Sequence, residues 1–360
     1  MNDAAASPRL IRVLVADDSA FMRTALTRMI ESDPGLRVSD TAQNGNEALE
    51  KIRASQPDVV TLDVEMPGLD GLETLRRIMK DFPRPVIMVS SLTQEGAEIT
   101  LEALDIGAFD YVPKQLSYVS LDIIKIRDDL VAKIKAAANV GRPSVKKPVQ
   151  AVATSRVPAY SAFSVVPEIV AVGTSTGGPK ALQQILPLLP SDLGVGVLIV
   201  QHMPPGFTAP FARRLNNLCK IAVREATQGE NIAPGVVYIA PAGQHMVASR
   251  RGSSSVALQL SDLPQGMLHK PSVDVMMLSV ADVFRGLSMG IIMTGMGADG
   301  LQGMKAIAGA GGLTVGQDEA SCIVYGMPRS CAEAGVLRRV VPLNDIPAVI
   351  LQATRYRKRA

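Results

Sequence analysis

The sequence predicts an α/β chain built as two doubly wound parallel-sheet domains, and three observations carry that expectation. Short β-branched runs alternate with longer helical patterns almost throughout, the pattern of parallel strands joined by covering helices. The alternation stops near residue 138 and resumes near residue 168, across a stretch rich in Pro, Ser, Ala, Val and Lys with no sustained period. At 360 residues the chain is also too long for one ordinary core. The expected divisions are a first domain over residues 1–137, a flexible linker over 138–167 and a second domain over 168–360.

In the first domain, strands are expected at Arg12–Ala16, Val59–Leu62, Val86–Val89 and Asp110–Val112, where β-branched residues cluster. Helices are expected at Ala20–Glu31 and Asn46–Ala54, where the apolar residues recur at helical spacing. The second domain opens with a strand at Glu168–Val172 and continues through strands at Val195–Val200 and Gly290–Met293. The halves share a style of fold but no repeated motif.

Composition narrows the function classes. Hydrophobic residues make up 47% of the chain, which is ample for two cores and excludes a disordered protein. A formal net charge of +3, with acids and bases well mixed, argues against a nucleic-acid partner. The three cysteines, Cys219, Cys322 and Cys331, have no metal-ligand spacing and read as reduced thiols. The first residues lack a signal-peptide core, and no run reaches the roughly 18 apolar residues of a membrane helix. A cytoplasmic protein without membrane insertion is expected.

In the first domain, Asp17 and Asp18 follow the first strand and Asp63 follows a later one. Carboxyl ends of neighbouring strands in an open parallel sheet converge on one crevice. Three carboxylates there raise one another's pKa unless a cation intervenes, and an all-oxygen ligand set suits Mg²⁺. Ser90 and Lys114 stand at two further strand ends. A hydroxyl and an ammonium beside a metal-bound carboxylate suit a phosphorylated aspartate, whose oxygens the lysine and metal neutralise. With the run Leu62-Asp63-Val64-Glu65-Met66-Pro67-Gly68, these residues make 10–130 resemble a two-component response-regulator receiver domain, a flavodoxin-like fold. The resemblance implies that Asp63 accepts phosphate from a histidine kinase. It also implies that Ser90, Lys114 and Tyr111 form the switch, with Tyr111 turning inward on activation.

In the second domain, Gly173-Thr174-Ser175-Thr176-Gly177 fits G-x-S-x-G between a strand and a helix that starts near Pro179. Glycines on both sides expose the Ser175 hydroxyl, and amides at the helix start are available to an oxyanion. A base is needed, and the histidines are three. His202 follows the strand Val195–Val200, on the same rim as Ser175, and is preferred to His245 and His269, which read as structural or substrate-side. Asp299, in the turn Thr294–Gly300 after the strand Gly290–Met293, can orient the imidazole. The same turn also spells G-x-G-x-x-G, with Asp318 about twenty residues on, as a dinucleotide site would. That alternative leaves Ser175 and His202 unexplained.

The stretches Gly173–Gly178, Gln201-His202-Met203-Pro204, Pro271-Ser272-Val273-Asp274 and Thr294–Gly300 resemble the chemotaxis protein-glutamate methylesterases, which are also glutaminases. The resemblance implies a Rossmann-like hydrolytic domain with no cofactor of its own. Ser175 would be the nucleophile, His202 the base and Asp299 its orienter, with Thr176 and the Met296 main chain holding the reacting carbonyl. The implied substrate is the methylated cytoplasmic region of chemoreceptors. Phosphorylation of Asp63 is expected to move the receiver off the catalytic rim.

Overall fold

The computed structural model describes residues 9–114, 121–140, 165–252 and 255–356. The chain divides into two compact units, Met1–Gln150 and Ala151–Ala360. Most of the expected linker, residues 141–164, lies outside the described residues.

The first unit contains strands β1 (Ile11–Ala16), β2 (Leu36–Ala42), β3 (Val59–Asp63), β4 (Val86–Ser90) and β5 (Asp110–Pro113). They alternate with helices α1 (Ala20–Glu31), α2 (Gly45–Ser55), α3 (Gly71–Asp81), α4 (Gln94–Ile106) and α5 (Leu121–Val140). The strands pair in parallel in the order β2-β1-β3-β4-β5. Strand order therefore reverses between β1 and β3, and the crevice of such a sheet opens at that reversal. Helix starts are set by side chains: Ser19 caps α1 at the Met22 amide, and Asp70 caps α3 at the Glu73 amide. Val13, Val15, Ile30, Val59, Ile87 and Leu130 form part of one buried core under α1 and α5.

The second unit contains β6 (Ile169–Thr174), β7 (Gly196–Gln201), β8 (Ala222–Glu225), β9 (Val236–Ile239), β10 (His245–Arg251), β11 (Ser255–Ser261), β12 (Ser288–Ile292), β13 (Leu313–Gln317) and β14 (Arg339–Val341). Its helices are α6 (Gly178–Ile185), α7 (Thr208–Leu218), α8 (Val273–Phe284), α9 (Leu301–Gly309), α10 (Met327–Glu333) and α11 (Ile346–Ala353). Seven strands form a parallel sheet in the order β14-β13-β12-β6-β7-β9-β8. β6 is the switch point, flanked by β7 on one side and β12 on the other. A feature absent from the sequence expectation is the antiparallel hairpin β10–β11, which packs against α8. Its Met246 and Leu258 share a buried core with Ile169, Leu198, Tyr238, Met276, Met277 and Met304. Burying side chains of this size contributes about 1.5–3 kcal/mol each.

Among the described residues, no helix is long and apolar enough to cross a membrane.

Candidate active site and phosphoryl-acceptor site

In the first unit, Asp17 follows β1 and Asp63 ends β3, so both stand at the reversal of strand order. Carboxylate oxygens of Asp17, Asp18 and Asp63 lie within 4.8 Å of one another. Lys114 Nζ, just beyond β5, is 2.6 Å from Asp63 Oδ2 and 3.2 Å from Asp17 Oδ2. The other oxygens accept from main-chain amides, Ser19 N to Asp17 Oδ1 at 2.9 Å and Glu65 N to Asp63 Oδ1 at 3.1 Å. Ser90 Oγ, at the end of β4, lies 3.2 Å from the carbonyls of both Ser91 and Gly96. Tyr111 is already buried, with Lys133 Nζ 5.4 Å from its ring centre.

Burial pushes the Asp63 carboxyl up to about 6; the Lys114 hydrogen bond pulls against this and the Asp17 charge adds to it. Burial raises Asp17 as well, against the charge of Lys114. An oxygen-only cluster in which burial raises the Asp17 and Asp63 carboxyls fits a hard divalent cation such as Mg²⁺.

The raised Asp63 has a consequence for stability. Because its folded pKa, about 6, exceeds the ordinary 3.8, the native state binds more protons than the unfolded chain between those values. Stability is therefore lost as pH rises through that window. Asp63→Asn is expected to stabilise this unit by about 1–3 kcal/mol at pH 7, with the gain fading towards pH 4. Hydrogen exchange of the β1, β3 and β4 amides at both pH values checks it; equal protection of variant and wild type at pH 7 counts against it.

In the second unit, Ser175 follows β6, His202 follows β7, and Asp299 lies in the loop after β12. These three strands are adjacent. Backbone bonds stitch their ends together: Ser175 N donates to Thr294 O at 3.0 Å, and His202 N donates to Thr174 O at 3.2 Å. Gln201 Nε2 donates to the carbonyls of both Ser175 and His202 at 3.0 Å, a clamp that motif reading did not anticipate. Gly177 takes a positive φ of 78°, where a side chain would be strained and would also meet Ile323. Gly295 must lack a side chain for another reason: a Cβ there would press on Ser175 Cβ and Met327 Sδ.

His202 Nε2 is 2.8 Å from Asp299 Oδ2, and both side chains are about nine-tenths buried. His202 Nδ1 is buried with no hydrogen-bond partner among the described residues. The ring of His269 stacks on that of His202, centroids 3.9 Å apart and planes 16° from parallel. Asp299 sits at the start of α8, where Ser272 Oγ (2.8 Å), Val273 N (2.7 Å) and Asp274 N (3.0 Å) donate to it. Burial acts to raise the Asp299 pKa, but the His202 hydrogen bond and charge and these amides outweigh it and hold the carboxyl well below its usual range. It is an anion at every working pH. Thr176 Oγ1 is buried and unpartnered among the described residues. The Gly295 amide is used, donating to Val324 O at 3.0 Å, whereas the Met296 N–H has no backbone acceptor among the described residues.

A CheB methylesterase family model matches residues 170–350, and a response regulator receiver domain model matches residues 13–123. Protein-glutamate methylesterase/protein-glutamine glutaminase 1 of Oleidesulfovibrio alaskensis is 48% identical over 368 residues, covering 96% of this chain and 99% of that protein. The chain belongs to the CheB methylesterase family. A second relative, protein-glutamate methylesterase/protein-glutamine glutaminase 2 of Nitratidesulfovibrio vulgaris, is 46% identical over 363 residues, covering 95% of this chain and 99% of that protein. Among solved structures, the CheB methylesterase catalytic domain of Thermotoga maritima is similar with a TM-score of 0.51 and 36% identity, over 52% of this chain and 99% of that one.

The dinucleotide alternative fares poorly on geometry as well. Asp318, which would have to meet a ribose, instead accepts from the amide of Ser321 at 3.1 Å and from its hydroxyl. The Gly295–Gly300 turn in this CheB methylesterase domain serves to bring Asp299 onto His202.

Proposed function

We infer that this chain is a phosphorylation-controlled protein-glutamate methylesterase and protein-glutamine glutaminase, acting through Ser175, His202 and Asp299. The contact that carries the catalytic assignment is His202 Nε2 to Asp299 Oδ2 at 2.8 Å, on strand ends stitched to the Ser175 turn. The substrate is the γ-methyl ester of a glutamate side chain on the cytoplasmic region of chemoreceptors, and the output is sensory adaptation.

The chemistry follows from which imidazole nitrogen is engaged. Nε2–H donates to the Asp299 carboxylate, so the lone pair sits on Nδ1. Nδ1 takes the proton of the Ser175 hydroxyl as its oxygen attacks the ester carbonyl. Negative charge develops on that carbonyl oxygen, towards which the Met296 N–H and the Thr176 hydroxyl donate. Collapse expels methanol, with the proton returned from Nδ1, and leaves a glutamyl ester on Ser175. His202 then deprotonates water, which attacks the ester and frees glutamate and the serine. With a glutamine side chain the same steps expel ammonia.

Control resides in the first unit. Asp63 takes a phosphoryl group from a histidine kinase or a small phosphodonor. Asp17, Asp18 and Asp63 would hold Mg²⁺, which supplies positive charge to the phosphoryl oxygens. Lys114, between Asp63 and Asp17, supplies a second cation, and Ser90 Oγ can leave its loop carbonyls for a phosphoryl oxygen.

The test is methanol release from methylated receptor fragments with and without a small phosphodonor and Mg²⁺. Release is expected to rise about 5–150-fold with the donor, the range of an ordinary coupling between sites. Asp63→Asn is expected to keep basal release and lose the rise. A variant that still responds to the donor removes Asp63 from the role of acceptor.

A further inference from the structure

His245 is the first residue of β10 and is fully buried. In the sequence it stands apart from every motif, and none of the chemical steps above uses it. Its Nδ1 accepts the main-chain N–H of Ser272 at 3.1 Å. Ser272 is in turn the N-cap of α8, its hydroxyl accepting from Val275 N at 3.4 Å while donating to Asp299 Oδ1 at 2.8 Å. The next two amides, of Val273 and Asp274, also donate to Asp299. One turn of backbone therefore holds the carboxylate that meets His202, and the His245 side chain holds that turn at the Ser272 amide.

We propose that His245 is a positioning residue of the esterase, holding Ser272 so that the start of α8 presents its hydroxyl and two amides to Asp299. This rests on the assignment of Asp299 as the orienter of His202.

The chemistry of the contact restricts what can replace the imidazole. Nδ1 can accept only in the neutral ring with its proton on Nε2. The surroundings favour that form. Burial lowers the His245 pKa, the Pro264 carbonyl opposes this, the Lys270 charge adds to it, and Asp299 and Asp262 oppose it. A phenyl ring fills similar space but offers no acceptor, so the buried Ser272 amide loses its partner. Asparagine places an amide oxygen close to the site of Nδ1 and restores the acceptor. Loss of the contact lets the α8 start shift, and sub-ångström displacement of a catalytic group is enough to slow the chemical step.

The experiment compares wild type, His245→Phe, His245→Asn and Ser175→Ala in methanol release from a methylated receptor fragment, across pH. His245→Phe is expected to lose about 10–100-fold in kcat, with KM within about twofold. The acid limb of its kcat/KM profile should move to lower pH, because a displaced Asp299 stabilises the His202 imidazolium less. His245→Asn should recover most of kcat and return the acid limb to its wild-type place. If His245→Phe does not fold, His245→Asn alone decides: a folded variant with tenfold lower kcat overturns the proposal. So does a folded His245→Phe with wild-type kcat and pH profile, or an equal loss in both variants tracking lowered thermal stability. Wild type that releases no more methanol than Ser175→Ala would instead remove the proposed function itself.

Discussion

Ser175→Ala is expected to abolish methanol release, lowering kcat by ~10⁵-fold or more while leaving the fold intact. The variant removes the hydroxyl oxygen proposed to attack the ester carbonyl. His202 then has no hydroxyl to deprotonate, and an unpositioned water must serve. The Met296 N–H and Thr176 hydroxyl proposed to hold the oxyanion remain, so a residue of rate enhancement over water is expected to survive. Folding should be spared for a specific reason. Ser175 is held by its main chain, through its N–H to Thr294 O and its carbonyl to Gly178 N and Gln201 Nε2. None of those bonds needs the side chain. Receptor-fragment binding and phosphoryl uptake at Asp63 should therefore match wild type. Methanol release within about tenfold of wild type would take the nucleophile away from Ser175.

Much of this architecture is legible in the sequence, and the exceptions have physical causes. Strands whose two faces are buried read as apolar runs, which is why Val59–Asp63, Val86–Ser90 and Ile169–Thr174 stand out. β2 does not stand out, because as an edge strand it is only partly buried and carries Arg37, Ser39, Asp40 and Thr41. The hairpin β10–β11 hides for a related reason: Ser249, Arg250 and Arg251 end one strand, and its apolar residues pair across rather than along the chain. Ser175 and Asp299, in glycine-rich turns, announce themselves by motif, and His202 by its place after the strand Val195–Val200. Gln201 and His245 do not, because each acts by bonding to a main chain distant in sequence, the Ser175 carbonyl and the Ser272 amide. Ser272 carried a usable signal, a capping residue just before a helical apolar pattern. Nothing in the sequence announced that its hydroxyl also serves Asp299.

The second large effect is expected at Asp299→Asn, a loss of ~10³–10⁴-fold in kcat with little change in KM. The side chain keeps its size and loses its charge, and its hydrogen-bond partners make either amide orientation costly. Every neighbour of the carboxylate donates: Val273 N and His202 Nε2 to one oxygen, Ser272 Oγ and Asp274 N to the other. If the new NH₂ group takes the first position, it opposes Val273 N–H and obliges His202 to accept at Nε2. The ring proton then moves to Nδ1, the nitrogen assigned to take the serine proton, and the base is lost. If the NH₂ takes the second position, it opposes Asp274 N–H, and His202 keeps its tautomer but no longer faces an anion as it becomes an imidazolium. The first arrangement removes general-base function and the second weakens it, so the residual activity reports how the amide partitions between them. A pH–rate profile separates the two. Activity rising steadily with hydroxide marks the lost base, whereas a retained acid limb marks the surviving tautomer. A kcat within tenfold of wild type, with unaltered pH dependence, would mean that Asp299 holds α8 in place but does not serve His202.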